Sequence, residues 1–160
     1  MSTHEKHHGW HDLPHVHVHD MNWKLIFWLS LFGLGMAVGT VFFVSSGIEP
    51  FLWIAIFLIS AYLIARHCPH RRFLHGLIVG VANSIWITAT HIVFFTYYMG
   101  VHVREAEMMK SMPLPHWPRL MMVVTGPVVG IMSGILIGAL ALVAGHFMKP
   151  AQLKRPDPAL

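Results

Sequence analysis

Four long apolar runs, separated by short polar segments, make up most of this chain. They extend over about residues 23–44, 51–65, 73–99 and 120–147. A helix rises about 1.5 Å per residue, so roughly 20 apolar residues cross the hydrocarbon layer of a bilayer. The pattern therefore predicts an all-α integral membrane protein. We expect four transmembrane helices, packed as an antiparallel bundle within residues 21–148.

The two ends of the chain lack this apolar pattern. Residues 1–20 are polar and contain seven histidines, and residues 149–160 are polar and contain prolines. Neither segment has enough large apolar groups to offset the entropy lost on ordering. The sequence predicts a disordered His-rich tail at the amino end and a second disordered tail at the carboxyl end.

Composition supports the membrane prediction and removes one class of partner. Hydrophobic residues make up 55% of the 160 residues and charged residues only 11%, whereas about a quarter of the residues in soluble proteins are charged. The formal charge is +4, but the basic residues flank the apolar runs instead of forming one basic face. We therefore expect the lipid bilayer, and no nucleic acid, as a partner.

The basic residues also predict an orientation. With four spans, both termini and the loop between the second and third runs share one side of the membrane. That side holds eight of the eleven Lys and Arg residues: Lys6, Lys24, Arg66, Arg71, Arg72, Lys149, Lys154 and Arg155. The other side holds Arg104, Lys110 and Arg119. The positive-inside rule then predicts that both termini are cytoplasmic, in the inner membrane of a bacterium.

A glycine occurs at every fourth position of the last run: Gly126, Gly130, Gly134 and Gly138. At helical pitch the four form one flat groove that allows close approach of another helix, and Gly35 and Gly39 repeat the spacing in the first run. We predict that these six glycines pack helices together. The sequence leaves open whether the partner helix belongs to this chain or to a second copy.

The third run has a polar half, which includes Asn83, Ser84, Thr88, Thr90 and His91. His91 is the one ionisable group well inside a predicted span, and such groups are candidates for functional sites. The alternatives are a neutral imidazole hydrogen-bonded within the core, a metal or pigment ligand, and a proton relay. A haem with two axial imidazoles would need a second histidine at the same depth, which no other run supplies.

Metal-binding residue types concentrate on both sides of the predicted membrane. The tail contains His15, His17 and His19 in alternation, and neutral imidazoles bind transition metals. Around the third loop lie soft thioether and imidazole groups, which favour Cu(I): Met99, His102, Met108, Met109, Met112, His116, Met121 and Met122. The alternative is that the methionines are flexible apolar filler at an interface.

Four segments carry a resemblance to known proteins. They read MNWKL, HGLIVGVANSIWIT, MPLPHWPRLMM and TGPVVGIMSG. They resemble an uncharacterised family of small four-span bacterial membrane proteins. The resemblance implies the topology and a bacterial origin, and it carries no activity.

Taken together, the sequence favours a non-enzymatic integral membrane protein that self-associates or serves as an accessory subunit of a larger membrane complex. No carboxylate lies in a predicted span and no phosphate-binding glycine loop occurs, which argues against an enzyme. The first alternative is a protein that binds or transports a transition metal, copper or zinc. The second is a membrane subunit that binds haem or a chlorophyll-type pigment.

Overall fold

The structure, a computed structural model, describes residues 21–111 and 116–148. Of the described residues 85% are helical, and none of them forms a strand. The helices are α1 (Trp23–Phe42), α2 (Glu49–His67), α3 (Arg72–Val93), α4 (Phe95–Val101), α5 (Val103–Lys110) and α6 (Pro118–Phe147). Four of these, α1, α2, α3 and α6, are long and apolar enough to cross a membrane. The helical, multi-pass membrane character predicted from the sequence is thereby confirmed.

The helix boundaries differ from the predicted runs by one or two residues at several ends, and two differences matter for the site. α2 begins at Glu49 and not at residue 51, because an acidic residue and a proline are both favourable in the first turn of a helix. The third run, predicted as one helix over 73–99, is divided into α3 and α4. The backbone of Phe94 leaves helical geometry, with φ −96° and ψ 20°, and the division falls there.

Close contact between α3 and α6 is the most extensive packing in the described structure. A Cβ atom at Gly80 would overlap the backbone of Gly134, and one at Gly76 would overlap the backbone of Gly138. Residue numbers rise along one helix as they fall along the other, so α3 and α6 run in opposite directions. The two backbones touch directly, as small residues at every fourth position allow.

The same register continues with hydroxyl side chains on α3. Ser84 fills the space over Gly130, and Thr88 fills the space over Gly126. The groove predicted on α6 is thus covered within the chain by Gly76, Gly80, Ser84 and Thr88. This row of small residues on α3 was not predicted from the sequence, because its two glycines are followed by two hydroxyl residues. The four-residue spacing is nevertheless present in the sequence.

The remaining two spans pack on the outer sides of this pair. α1 packs mainly on α3 and α2 mainly on α6. The indole N–H of Trp86 donates to Ser30 Oγ at 3.3 Å, and the Asn22 backbone N–H donates to His75 Nε2 at 3.1 Å, so polar contacts join α1 to α3 at two depths. The buried apolar side chains include Ile26 and Leu29 of α1 together with Ile64 of α2, and they lie towards the end of the bundle where α1 begins.

Gly35 and Gly39, the other predicted packing glycines, do not lie between helices of this chain. A Cβ at Gly35 would have no atom within 4 Å, and a Cβ at Gly39 would meet only the side chain of Val44. Gly33 takes that place, since a Cβ there would come within 2.7 Å of the Cα of Asn83. The spacing of glycines in the sequence does not show whether Gly33 or Gly35 packs on another helix. Only the contact of Gly33 with α3 distinguishes them.

Gly134→Ala should destabilise the protein, whereas Gly35→Ala should not. The methyl group at position 134 would lie about 2.6 Å from the carbonyl oxygen of Leu77, and such overpacking costs about 1–3 kcal/mol. At the open position 35, alanine should be neutral or stabilising because its helix propensity exceeds that of glycine by about 1 kcal/mol. Thermal unfolding of both variants in the same detergent measures the difference, and equal midpoints would contradict the packing described above.

Candidate functional site

A cavity of about 300 Å³ lies among α2, α3, α4, α5 and α6, at the end of the spans remote from Trp23 and Phe147. The first turn of α2, the last turns of α3 and the first turns of α6 reach it, and α5 covers it. Its polar lining consists of Glu49, Ser84, Thr88, His91, Tyr98, Glu105 and Thr125. Thr88 and Gly126, the last pair of the α3–α6 contact, both line the cavity.

His91 presents an unprotonated ring nitrogen to this cavity. Its Nδ1 lies 2.8 Å from the carbonyl oxygen of Ile87, and because a carbonyl only accepts, Nδ1 must carry the proton. In the neutral imidazole the lone pair is then on Nε2, which has no hydrogen-bond partner among the described residues and is not one of their fully buried polar atoms without a partner. The ring of Tyr98 stands edge-on to the imidazole, with 4.5 Å between centroids. His91 is thus oriented as histidine ligands usually are, with its other nitrogen donating to a backbone carbonyl.

His75 shows the contrasting, purely structural arrangement in the same helix. It is 1% exposed, and its Nδ1–H donates to the Arg71 carbonyl at 2.9 Å. Its Nε2 accepts the backbone N–H of Asn22. Both ring nitrogens of His75 are therefore satisfied, whereas one nitrogen of His91 is available to a ligand.

Two carboxylates line the cavity, and no described Lys or Arg does. Glu49 accepts a hydrogen bond from the indole N–H of Trp53 at 3.1 Å. Glu105 accepts one from Ser46 Oγ at 2.6 Å. The Ser46 hydrogen bond holds the pKa of the Glu105 carboxyl below its usual range, although partial burial opposes it. The predicted spans contained no carboxylate, but Glu49 belongs to α2. The sequence feature that could have predicted this is the Glu-Pro pair, which favours the start of a helix.

Hydrogen bonds made by side chains at the amino-terminal end of α5 hold this helix beside the cavity. His102 Nε2–H donates to the Thr40 carbonyl of α1 at 2.8 Å, across 62 residues of sequence. Its Nδ1 lies 4.0 Å from Glu105 Oε2, and Glu105 in turn binds Ser46. The end of α1 and the loop after it thus hold α5 in place.

The predicted polar face of α3 is divided between two environments. Ser84, Thr88 and His91 line the cavity. Asn83 is 3% exposed and lies against Gly33, and neither of its amide atoms has a hydrogen-bond partner among the described residues. Thr90 is also buried. A second cavity of about 310 Å³ adjoins the first, since Glu49 and Ser84 line both.

The predicted metal-binding residues are only partly brought together. Met108 and His91 line the same cavity, joined by Met109 and Met122. His102 lies beside it, 4.4 Å from the Tyr98 ring, while His116 lines a different pocket. No group of three His, Cys, Asp or Glu side chains among the described residues is placed to hold a metal. The remaining predicted ligands, His15, His17, His19 and Met112, lie outside the described residues.

The comparisons with known proteins add no relative to this picture. No family of known proteins, no curated protein and no solved structure matches the chain. Function must therefore be argued from the cavity itself.

Acid should release α5, because Glu105 holds it as a carboxylate. A folded-state pKa below the unfolded value stabilises the protein above the unfolded pKa, and this stabilisation is lost as the pH falls through the folded value. We therefore expect the protection of the amides in residues 103–110, measured as exchange relative to the intrinsic rate at the same pH, to be high at neutral pH and to fall below about pH 4. The groups that face Glu105 are Ser46, His102 and Arg104.

Glu105→Gln should reproduce this loosening at neutral pH, since the charge-assisted hydrogen bond to Ser46 becomes a weaker neutral one. Glu107→Gln is the matched control, because Glu107 is exposed and pairs only with Lys110 in the same helix. Exchange that is equally slow in both variants would show that the Ser46 contact does not hold α5.

Proposed function

We propose that this chain is a non-enzymatic, multi-pass membrane protein that binds a small cation in the cavity beneath α5. The observation that carries the proposal is the lining, which combines two carboxylates and an unprotonated imidazole nitrogen with no described Lys or Arg. Ionisable residues at membrane depth are costly, and they usually mark a ligand or ion site.

The electrostatics of the cavity favour a positive occupant. Glu49 and Glu105 are each bound by one neutral donor, Trp53 and Ser46 respectively. Both carboxylates are partly shielded from water, and a cation or further hydrogen bonds would offset the hydration that they lose. A small cation between the two carboxylates would supply that charge, and a neutral or anionic ligand would not.

The two other functions suggested by the sequence receive less support. Self-association through the glycine face needs that face to be free, but α3 covers Gly126, Gly130, Gly134 and Gly138. An oligomer or a role as an accessory subunit would therefore use another surface. A bis-imidazole haem needs a second free imidazole, and His102 Nε2 is already bound to the Thr40 carbonyl.

We further propose that the four spans form an antiparallel bundle in a bacterial inner membrane, with both termini in the cytoplasm. The charge distribution supports this orientation: Lys24, Arg66, Arg71 and Arg72 lie at the end of the spans near the termini. The cavity then opens towards the periplasm. Its ligand would be encountered outside the cell.

Glu49→Gln should weaken cation binding without disturbing the helix start, because glutamine can still accept the Trp53 hydrogen bond. The full-length protein is unfolded thermally with Cu(I), Zn(II) or tetraphenylphosphonium as probe. A cation present at 100 times its Kd stabilises the wild type by about 2.7 kcal/mol. The same cation should stabilise Glu107→Gln equally and Glu49→Gln by much less.

Metal bound by the histidine tail contributes equally to all three proteins, so only the difference between variants reports on the cavity. The proposal fails if no probe cation stabilises the wild type, or if Glu49→Gln is stabilised as much as Glu107→Gln.

The orientation is tested with two introduced cysteines in a Cys68→Ala background. Ser111 follows α5 and His70 lies between α2 and α3, and both are exposed. A membrane-impermeant maleimide applied to spheroplasts should label Ser111→Cys at once and His70→Cys only after lysis. The reverse pattern would invert the proposed topology.

A further inference from the structure

The cavity beneath α5 contains a sulfur-rich wall. Met108 and Met109 reach it from α5, and Met122 reaches it from the first turns of α6. His91 faces them from α3 with its Nε2 lone pair available. One histidine and three methionines therefore line a single cavity of about 300 Å³.

This donor set discriminates among cations. Thioether sulfur is a soft, uncharged ligand that selects Cu(I), whereas Mg²⁺ and Ca²⁺ require oxygen ligands. Zn²⁺ is held by three or four Cys, His or carboxylate ligands. No such group of three occurs among the residues that the structure describes.

We propose that the cation bound in this cavity is Cu(I), ligated by Nε2 of His91 and by the thioethers of Met108, Met109 and Met122. The inference rests on the proposed function, because it names the ligand of the same cavity. Methionine side chains have three rotatable bonds, so their sulfurs are free to reorient towards an ion.

The carboxylates then have a second role as counter-charges. Imidazole and thioether ligands are neutral, so Cu(I) would keep its full positive charge in a medium of low dielectric constant. Glu49 and Glu105 line the same cavity and compensate that charge without entering the ligand set. Soft histidine and methionine ligands around the ion, with carboxylates nearby as counter-charges, account for both kinds of residue in the lining.

The test is X-ray absorption at the copper edge of the full-length protein loaded with one equivalent of Cu(I) in the presence of a competing chelator. Sulfur scatterers separate the cavity from the tail, because residues 1–20 contain seven histidines and a single sulfur, that of Met1. We expect about two to three sulfur neighbours and one nitrogen neighbour in the wild type. Spectra with nitrogen neighbours only would overturn the proposal.

The variant Met108→Leu/Met109→Leu/Met122→Leu should lose the sulfur signal and bind Cu(I) at least tenfold more weakly. Met132→Leu is the matched control on α6, because Met132 is 64% exposed and does not line the cavity. If the triple variant does not fold, Met108→Leu and Met122→Leu alone should each reduce the number of sulfur neighbours. An unchanged spectrum in the methionine variants would refute the assignment.

Cys68 is a further sulfur that needs a control. It is buried at the opposite end of α2, and burial raises the pKa of its thiol, so the thiolate that binds metal is disfavoured. The sulfur signal should persist in Cys68→Ala, and its loss there would move the site away from the cavity. If Glu49→Gln weakens cation binding while no sulfur signal is found, the cavity still binds a cation and only its identity as Cu(I) fails.

Discussion

Direct backbone contact between α3 and α6 is the constraint on which the other features of this structure depend. In a bilayer the lipid chains are as apolar as leucine, so helices gain little by burying large side chains and instead associate through close packing. Gly76 and Gly80 against Gly134 and Gly138 provide that contact with no side chain between the backbones. The contact fixes both the register and the direction of the two helices, and thereby the depth of His91.

The cavity begins where this contact ends. Thr88 over Gly126 is the last pair, and beyond it the space between the spans is lined by larger polar side chains and bordered by α5. The tight contact between α3 and α6 thus occupies one end of the bundle, and the more loosely packed polar cavity occupies the other. The same helix supplies His75, with both ring nitrogens hydrogen-bonded, in the first region and His91, with only Nδ1 hydrogen-bonded, in the second.

Much of the fold could be predicted from the sequence, because long apolar runs specify helices that cross a bilayer whatever their neighbours are. The glycine stripe of α6 was also visible, yet its partner was not, since periodicity tells which residues share a face and not which helix covers it. Gly35 and Gly33 illustrate the limit: both are small residues of α1, and only Gly33 meets α3. The candidate site was harder still. Glu49 and Glu105 are 56 positions apart, and only the folded chain brings them to one cavity lining.

The pairing of spans also has a consequence for how the protein is made. α1 packs mainly on α3, and α2 mainly on α6, while α1 and α2 contact each other little. During synthesis the first two helices therefore enter the bilayer before either of their principal neighbours exists. α1 must wait for α3, and both α2 and α3 must wait for α6, so the last of the four spans to be made is the one that completes their assembly.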